Sequence, residues 1–190
     1  MLNFSLGAGA VWLDFLNTLG IVDGAYVDQI DTPAAFEAWL RVVGVTLPSE
    51  PAFDAASFGA VHEFREILRA AAEAVSRGAP IDEGALDAIN TLLGVRVTHE
   101  RLTRADDGGY RMASARTIAS PMHRLIPIAE SAVAVLCHPE QLSRVKKCAN
   151  PECIHYFLDT SKNRTRRWCD MSTCGNRSKA AAYYRRKTAT

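Results

Sequence analysis

Apolar residues recur at helical spacing over most of the first 142 residues of the chain, and this period predicts a series of short helices. Trp12, Phe15, Leu16 and Leu19 fall at i, i+3, i+4 and i+7, which predicts a helix from Gly9 to Leu19 with Asp14 and Asn17 off its apolar stripe. Asp31-Thr32-Pro33 supplies a helix start with proline in the first turn; Phe36, Trp39, Leu40 and Val43 follow at helical spacing, and Gly44 is a stop. Leu47-Pro48-Ser49-Glu50-Pro51 reads as a connector. Val61, Phe64, Ile67, Leu68, Ala71 and Val75 make one stripe, so a longer helix is expected from Phe58 to Arg77, closed by Gly78-Ala79-Pro80. A shorter helix follows from Asp82 to Leu93, with Leu86, Ile89 and Leu93 inward.

The period then changes. Val95 and Val97 alternate with polar residues, Asp106-Asp107-Gly108-Gly109 is a turn, and Tyr110 to Ala113 returns, predicting a β-hairpin near 95 to 113. From Ser120 to Leu142 the pattern is that of a buried helix carrying Leu125, Ile126, Ile128, Ala129, Ala132, Val133 and Leu136, which Pro127 either kinks or opens. Cys137 reads as a buried core thiol.

Charge divides the chain where the apolar pattern ends. Residues 1–143 hold ten Lys/Arg against eighteen Asp/Glu, and residues 144–190 hold twelve against three, so the formal net charge of +1 hides an acidic body with a basic arm. Basic arms meet phosphate backbones or anionic membrane surfaces, or are simply solvated. No apolar run is long enough to span a bilayer and no basic segment opens the chain, so a cytoplasmic protein without membrane contact is expected.

The arm carries Cys148 and Cys153, then, fifteen residues later, Cys169 and Cys174. Two pairs of equal interval around a hairpin-sized spacer suit one tetrahedral zinc ion, with each sulfur about 2.3 Å from the metal. Disulfides would need an oxidising compartment, and His155 is the alternative to one of the thiols. A site closed by four thiolates is structural and has no position for an activated water, and the chain lacks the common hydrolase, metalloprotease and nucleotide-binding strings; both points weigh against an enzyme.

Good helix formers follow the last cysteine from Gly175 to Lys187, so Arg177, Lys179, Tyr183, Arg185 and Arg186 would be fixed relative to the metal, with Arg166 and Arg167 just before Cys169. A basic helix set on a rigid metal site suits contact with nucleic acid. A helix that merely caps the body is the other reading. The expected fold is mainly α with one β-hairpin, of α+β class: a helical domain over residues 1–142 and a small treble-clef-like zinc finger over residues 143–190.

Cys174-Gly175-Asn176-Arg177, with Phe157 to Asn163 and Arg166-Arg167-Trp168-Cys169 before it, resembles the CGNR zinc finger. Trp12-Leu13-Asp14-Phe15-Leu16-Asn17-Thr18 resembles the opening of the ABATE domain that precedes this finger in bacterial proteins described as stress-induced transcription regulators. The resemblance implies one structural zinc on the four cysteines, DNA binding by the finger and an N-terminal ligand sensor. RNA binding or protein interaction by the finger stays open, as does a dimer. Among the polar residues of the body, including Asp14, His62 and His123, Asn17 and Arg65 are the candidates to hold a small polar effector.

Overall fold

The structure, a computed structural model, describes residues 4–45, 51–95, 97–117 and 119–188. Most of the expected connector, residues 47–50, lies outside them, as does the side chain of Arg186.

Helix α1 (Val11–Leu16) is shorter than its apolar stripe suggests. The chain leaves it at Asn17 and enters β1 (Leu19–Val22), which turns at Asp23-Gly24 into β2 (Ala25–Asp28). Both turn residues have positive φ, 51° and 81°, as the two-residue turn that matches strand twist requires. Helix α2 (Pro33–Val42) starts where Thr32 accepts a hydrogen bond from Ala35 N at 3.2 Å. Helix α3 (Gly59–Ser76) follows, then α4 (Glu83–Gly94), capped by Asp82, which accepts from Ala85 N at 2.8 Å. In α4 the inward residues are Ala85, Ile89 and Leu92, whereas Leu86 is exposed.

Strands β3 (Val97–Arg104) and β4 (Tyr110–Thr117) pair without interruption from Val97↔Thr117 to Arg104↔Tyr110, extending the expected hairpin by four residues. A 3₁₀ turn over Pro121–Leu125 leads into α5 (Ile126–Leu136), and Pro127 sits in its first turn, where no backbone donor is lost. Cys137 follows α5 and is exposed, not the buried thiol its apolar neighbours suggested, because the helix has ended and the chain turns outward to α6 (Pro139–Leu142). Strands β5 (Val145–Lys147) and β6 (Tyr156–Leu158) and helix α7 (Asn176–Thr188) complete the chain. The architecture is α+β. Besides the expected hairpin, the described residues hold two further two-stranded antiparallel sheets, β1–β2 and β5–β6.

Helix α1 lies between α3 and α5, with α4 packed on both of these. The centre is aromatic: the ring of Phe15 stands 5.6 Å from Trp39 and 6.2 Å from Phe36. Leu68, Leu125, Ile126 and Ile128 close the core around them. The basic arm enters this same core. Val145, Tyr156, Phe157 and Leu158 are buried in it, β5 lies against α3, and β6 lies against α1. Gly9, at φ 90°, lets the N-terminal segment approach so closely that a Cβ there would stand 3.1 Å from Leu158 Cβ. No described helix is long and apolar enough to cross a membrane.

Candidate metal centre and nucleic-acid interface

Each half of the cysteine cluster is shaped by backbone turns. Between β5 and β6, Cys148 N donates to His155 O at 2.9 Å and Cys153 N donates to Asn150 O at 3.0 Å, folding residues 148–153 into a tight knuckle that turns both sulfurs to one side. Asn150 is buried. Its carboxamide oxygen accepts from Glu152 N at 3.2 Å, and its amide nitrogen lies 3.6 Å from Cys174 Sγ, within donating range of a thiolate. In the second pair, Cys169 precedes a short helical turn, Met171–Gly175, and Cys174 lies within it; the turn is capped by Asp170, whose carboxylate accepts from Thr173 N at 2.8 Å. That turn runs directly into α7.

All four sulfurs lie within 4.8 Å of one another. Four sulfurs about 2.3 Å from a central zinc would stand about 3.8 Å apart. Cys153 and Cys169 are 3.6 Å apart, and Cys169 and Cys174 are 3.7 Å apart, so the cluster can hold one zinc ion. His155 is not part of the sulfur cluster: its backbone carbonyl orders the knuckle, and its ring packs against Gly20 of β1. Crowding sets the acidity of the thiols. Hydrogen bonds from Cys153 and Cys169 pull Cys148 far down, while the Cys148 sulfur pushes Cys153 and Cys169 up. Thiolates this close repel one another, and a cation among them would relieve that repulsion.

The spacer between the pairs is organised by Asp159, which is fully buried. One of its oxygens accepts from Ser161 N at 3.0 Å; the other accepts from Lys146 Nζ at 2.6 Å and Arg166 N at 3.1 Å. Burial alone would raise its pKa, but the Lys146 and Ser161 contacts prevail and hold it at about 2. Arg166 is drawn inward as well. Its guanidinium donates to the carbonyls of Trp168 (3.0 Å), Gly7 (3.3 Å) and Cys169, and lies 4.4 Å from the Phe157 ring centroid. Arg166 therefore ties the finger to the N-terminal segment.

Four other cations of the arm gather differently. Arg167, Arg177, Lys179 and Arg185 line one groove of about 470 Å³ between α7 and the knuckle, with Asn150 and Trp168 in its wall. Arg167 stacks over Trp168 at 5.3 Å, and Trp168 Nε1 donates to Ser178 Oγ at 3.1 Å, fixing α7 to the loop before Cys169. Tyr183 is exposed beside Tyr184, their rings 5.8 Å apart and nearly perpendicular. Among the described residues, no element apart from the Met171–Gly175 turn makes substantial contact with α7, so it stands off the body and does not cap it.

Asn17 and Arg65 lie at structural joints. The Asn17 side chain donates to Tyr156 O at 2.8 Å and accepts from Tyr156 N at 3.0 Å, completing the β6 backbone from outside the sheet. Arg65, also buried, pairs with Asp28 and donates to Thr18 Oγ1 at 2.9 Å, holding β2 onto α3; it lowers the pKa of Asp28 against the effect of burial. His62 bonds Ile30 O at 3.2 Å, and His123 accepts from Ala119 N at 3.2 Å. Asp14 accepts from Ala8 N at 2.8 Å, and its burial raises its pKa. Sequence reasoning missed Asn150 and Asp159, although Asn and Asp beside tight turns are a readable signal.

Residues 9–139 match the ABATE family, described as "Putative stress-induced transcription regulator", and residues 144–187 match the CGNR zinc finger. The chain belongs to the ABATE family, with a CGNR zinc finger following the ABATE region. Neither is an enzyme family. No curated protein matches the chain significantly.

Proposed function

We propose that this protein is a DNA-binding transcription regulator whose zinc centre presents α7 to the duplex. One observation carries the reading: four cations from two segments, Arg167 from the loop and Arg177, Lys179 and Arg185 from α7, converge on one groove beside a helix that the body leaves uncovered. Phosphates lying along that groove would meet guanidinium groups on both walls, and Tyr183, exposed further along α7, offers a flat surface to sugar or base. The zinc does not act on substrate in this scheme. Bound by Cys148, Cys153, Cys169 and Cys174, it supplies a rigid anchor for α7, and the protein is a regulator without catalytic activity of its own.

An effector role for the body has a narrower support. Asn17 also borders a cleft of about 420 Å³ shared with Ile21 and Val22 of β1, Gln29, His155 and Arg177, so a small polar molecule seated there would touch β1, the zinc knuckle and the first turn of α7 together. Arg65 does not line that cleft and serves in this reading to hold β2.

Fluorescence anisotropy of the zinc-loaded protein on duplex DNA across a salt series tests the main reading. With about four to six phosphate contacts, log K falls with log salt at a slope of about −4 to −5. Arg177→Ala with Arg185→Ala weakens binding to every sequence and flattens the slope by about two contacts. Failure to bind any DNA at low salt, or binding indifferent to salt, refutes it; tighter binding to single-stranded RNA points to the RNA alternative, and retention of a protein partner in high salt to the interaction module.

A further inference from the structure

The β3–β4 hairpin is left unused by the zinc centre and by the groove, and among the described residues no third strand pairs with it. One of its faces holds three apolar side chains in the open. Leu102 is opposite Met112 in the register and Arg104 is opposite Tyr110, yet Leu102, Met112 and Tyr110 are 71%, 73% and 68% exposed. A continuous eight-residue edge with neither bulge nor proline, carrying an exposed leucine, is a template for another strand.

The free edge of β3 has defined polarity. At the hairpin's end Ala105 N donates to Gly109 O at 2.9 Å and Ala105 O accepts from Gly108 N at 3.0 Å, so Ala105 turns its backbone groups toward β4. In an antiparallel ladder that orientation alternates, so Glu100, Leu102 and Arg104 turn theirs away from β4, to the open edge. The same three residues project their side chains to the face that carries Met112 and Tyr110.

We infer that β3 pairs antiparallel with β3 of a second copy of this chain, about a twofold axis at Leu102, forming a four-stranded sheet across the dimer. In this register Leu102 meets Leu102 of the other copy, and Glu100 meets Arg104 on each side of the axis. Charges that would otherwise blunt the edge thus become two reciprocal ion pairs. All three outward residues fall in hydrogen-bonded pairs, and Met112 and Leu102 of both copies form one apolar stripe, flanked by Tyr110 with Arg104 5.7 Å from its ring centroid. The edge of β4 has no such match: pairing about Met112 would set Tyr110 against Ser114 and Arg111 against Ala113. Asp106 and Asp107 at the hairpin tip argue for a protein partner over a phosphate backbone. The inference does not depend on DNA binding.

Light scattering after size exclusion, on the full zinc-loaded chain across a dilution series, reads this pairing directly. The wild-type chain is expected at twice the monomer mass. Glu100→Arg and Arg104→Glu each turn two attractive pairs into two repulsive ones and raise the dimer dissociation constant about tenfold or more, with unchanged circular dichroism because both side chains are exposed. Combining the two substitutions in one chain restores the dimer, and mixing the two single variants yields a heterodimer in preference to either homodimer. A wild-type monomer throughout the series, a dimer indifferent to the single substitutions, or a double variant no tighter than the singles overturns the inference.

Discussion

Helices α3 and α7 are the two longest of the described residues, 18 and 13 residues, and they are held in opposite ways. Helix α3 buries Val61, Phe64, Leu68, Ala71 and Ala72 along one side, so its position is set by core packing and only its outer side meets solvent. Helix α7, NRSKAAAYYRRKT, has no apolar stripe, and a helix of about 12 to 15 residues without packing is marginal in water. Its first turn is fixed instead by Cys174 and the Asp170-capped turn beside the other thiols. Packing positions a helix by covering a face, whereas a metal positions it from one end. The second arrangement leaves most of the surface of α7 uncovered, at the expense of making the helix dependent on four sulfurs.

The largest effect follows from removing that anchor. Chelating the zinc, or Cys169→Ser, withdraws on the order of 10 kcal/mol of metal binding from the finger. We expect helical circular dichroism equivalent to α7 to disappear and amide resonances beyond Cys169 to collapse, while the aromatic core around Trp39 persists. A tail that stays helical without metal would erase the contrast between the two helices.

Leu68→Ala probes the other helix. It removes a fully buried side chain from the centre of α3 and is expected to destabilise the body by about 3 to 5 kcal/mol in denaturant unfolding, with zinc content still one per chain before the transition. Zinc loss in step with this substitution would mean that the finger is held by the core more than by its metal.

Asn17→Ala tests the joint between the regions. It leaves the buried N–H and C=O of Tyr156 without their Asn17 partners, an expected loss of about 2 to 3 kcal/mol, together with faster amide exchange along β6. Exchange unchanged in β6 would show that the joint is not structural. The smallest effect belongs to Arg185→Ala, which is expected to change unfolding free energy by no more than about 0.5 kcal/mol, because the residue is exposed and α7 packs little.

Much of this was legible from local pattern. The stripe from Val61 to Val75, the Thr32-Pro33 and Asp82 helix starts and the paired cysteine intervals each encode their outcome within a few residues, because a helix period, a cap and a metal turn are short-range constraints. The β1–β2 hairpin was legible too, through Asp23-Gly24, but the apolar spacing that reaches Leu19 matches a helix equally well, and four-residue strands give period-two alternation little length to compete.

By itself, then, the sequence determined the helix starts, the α+β class, the ligands for zinc and the separation of an acidic body from a basic arm. The tertiary structure alone decided which charges work outward and which work inward. Arg166 and Arg167 are neighbours in the chain, yet one closes on the carbonyls of Gly7, Trp168 and Cys169 while the other faces the groove. Asn17, off its helix stripe, completes a strand 139 residues away. A side chain's partners at long range depend on where distant segments come to rest, and that placement is fixed by the shared core of α1, α3 and β6, which no local period encodes.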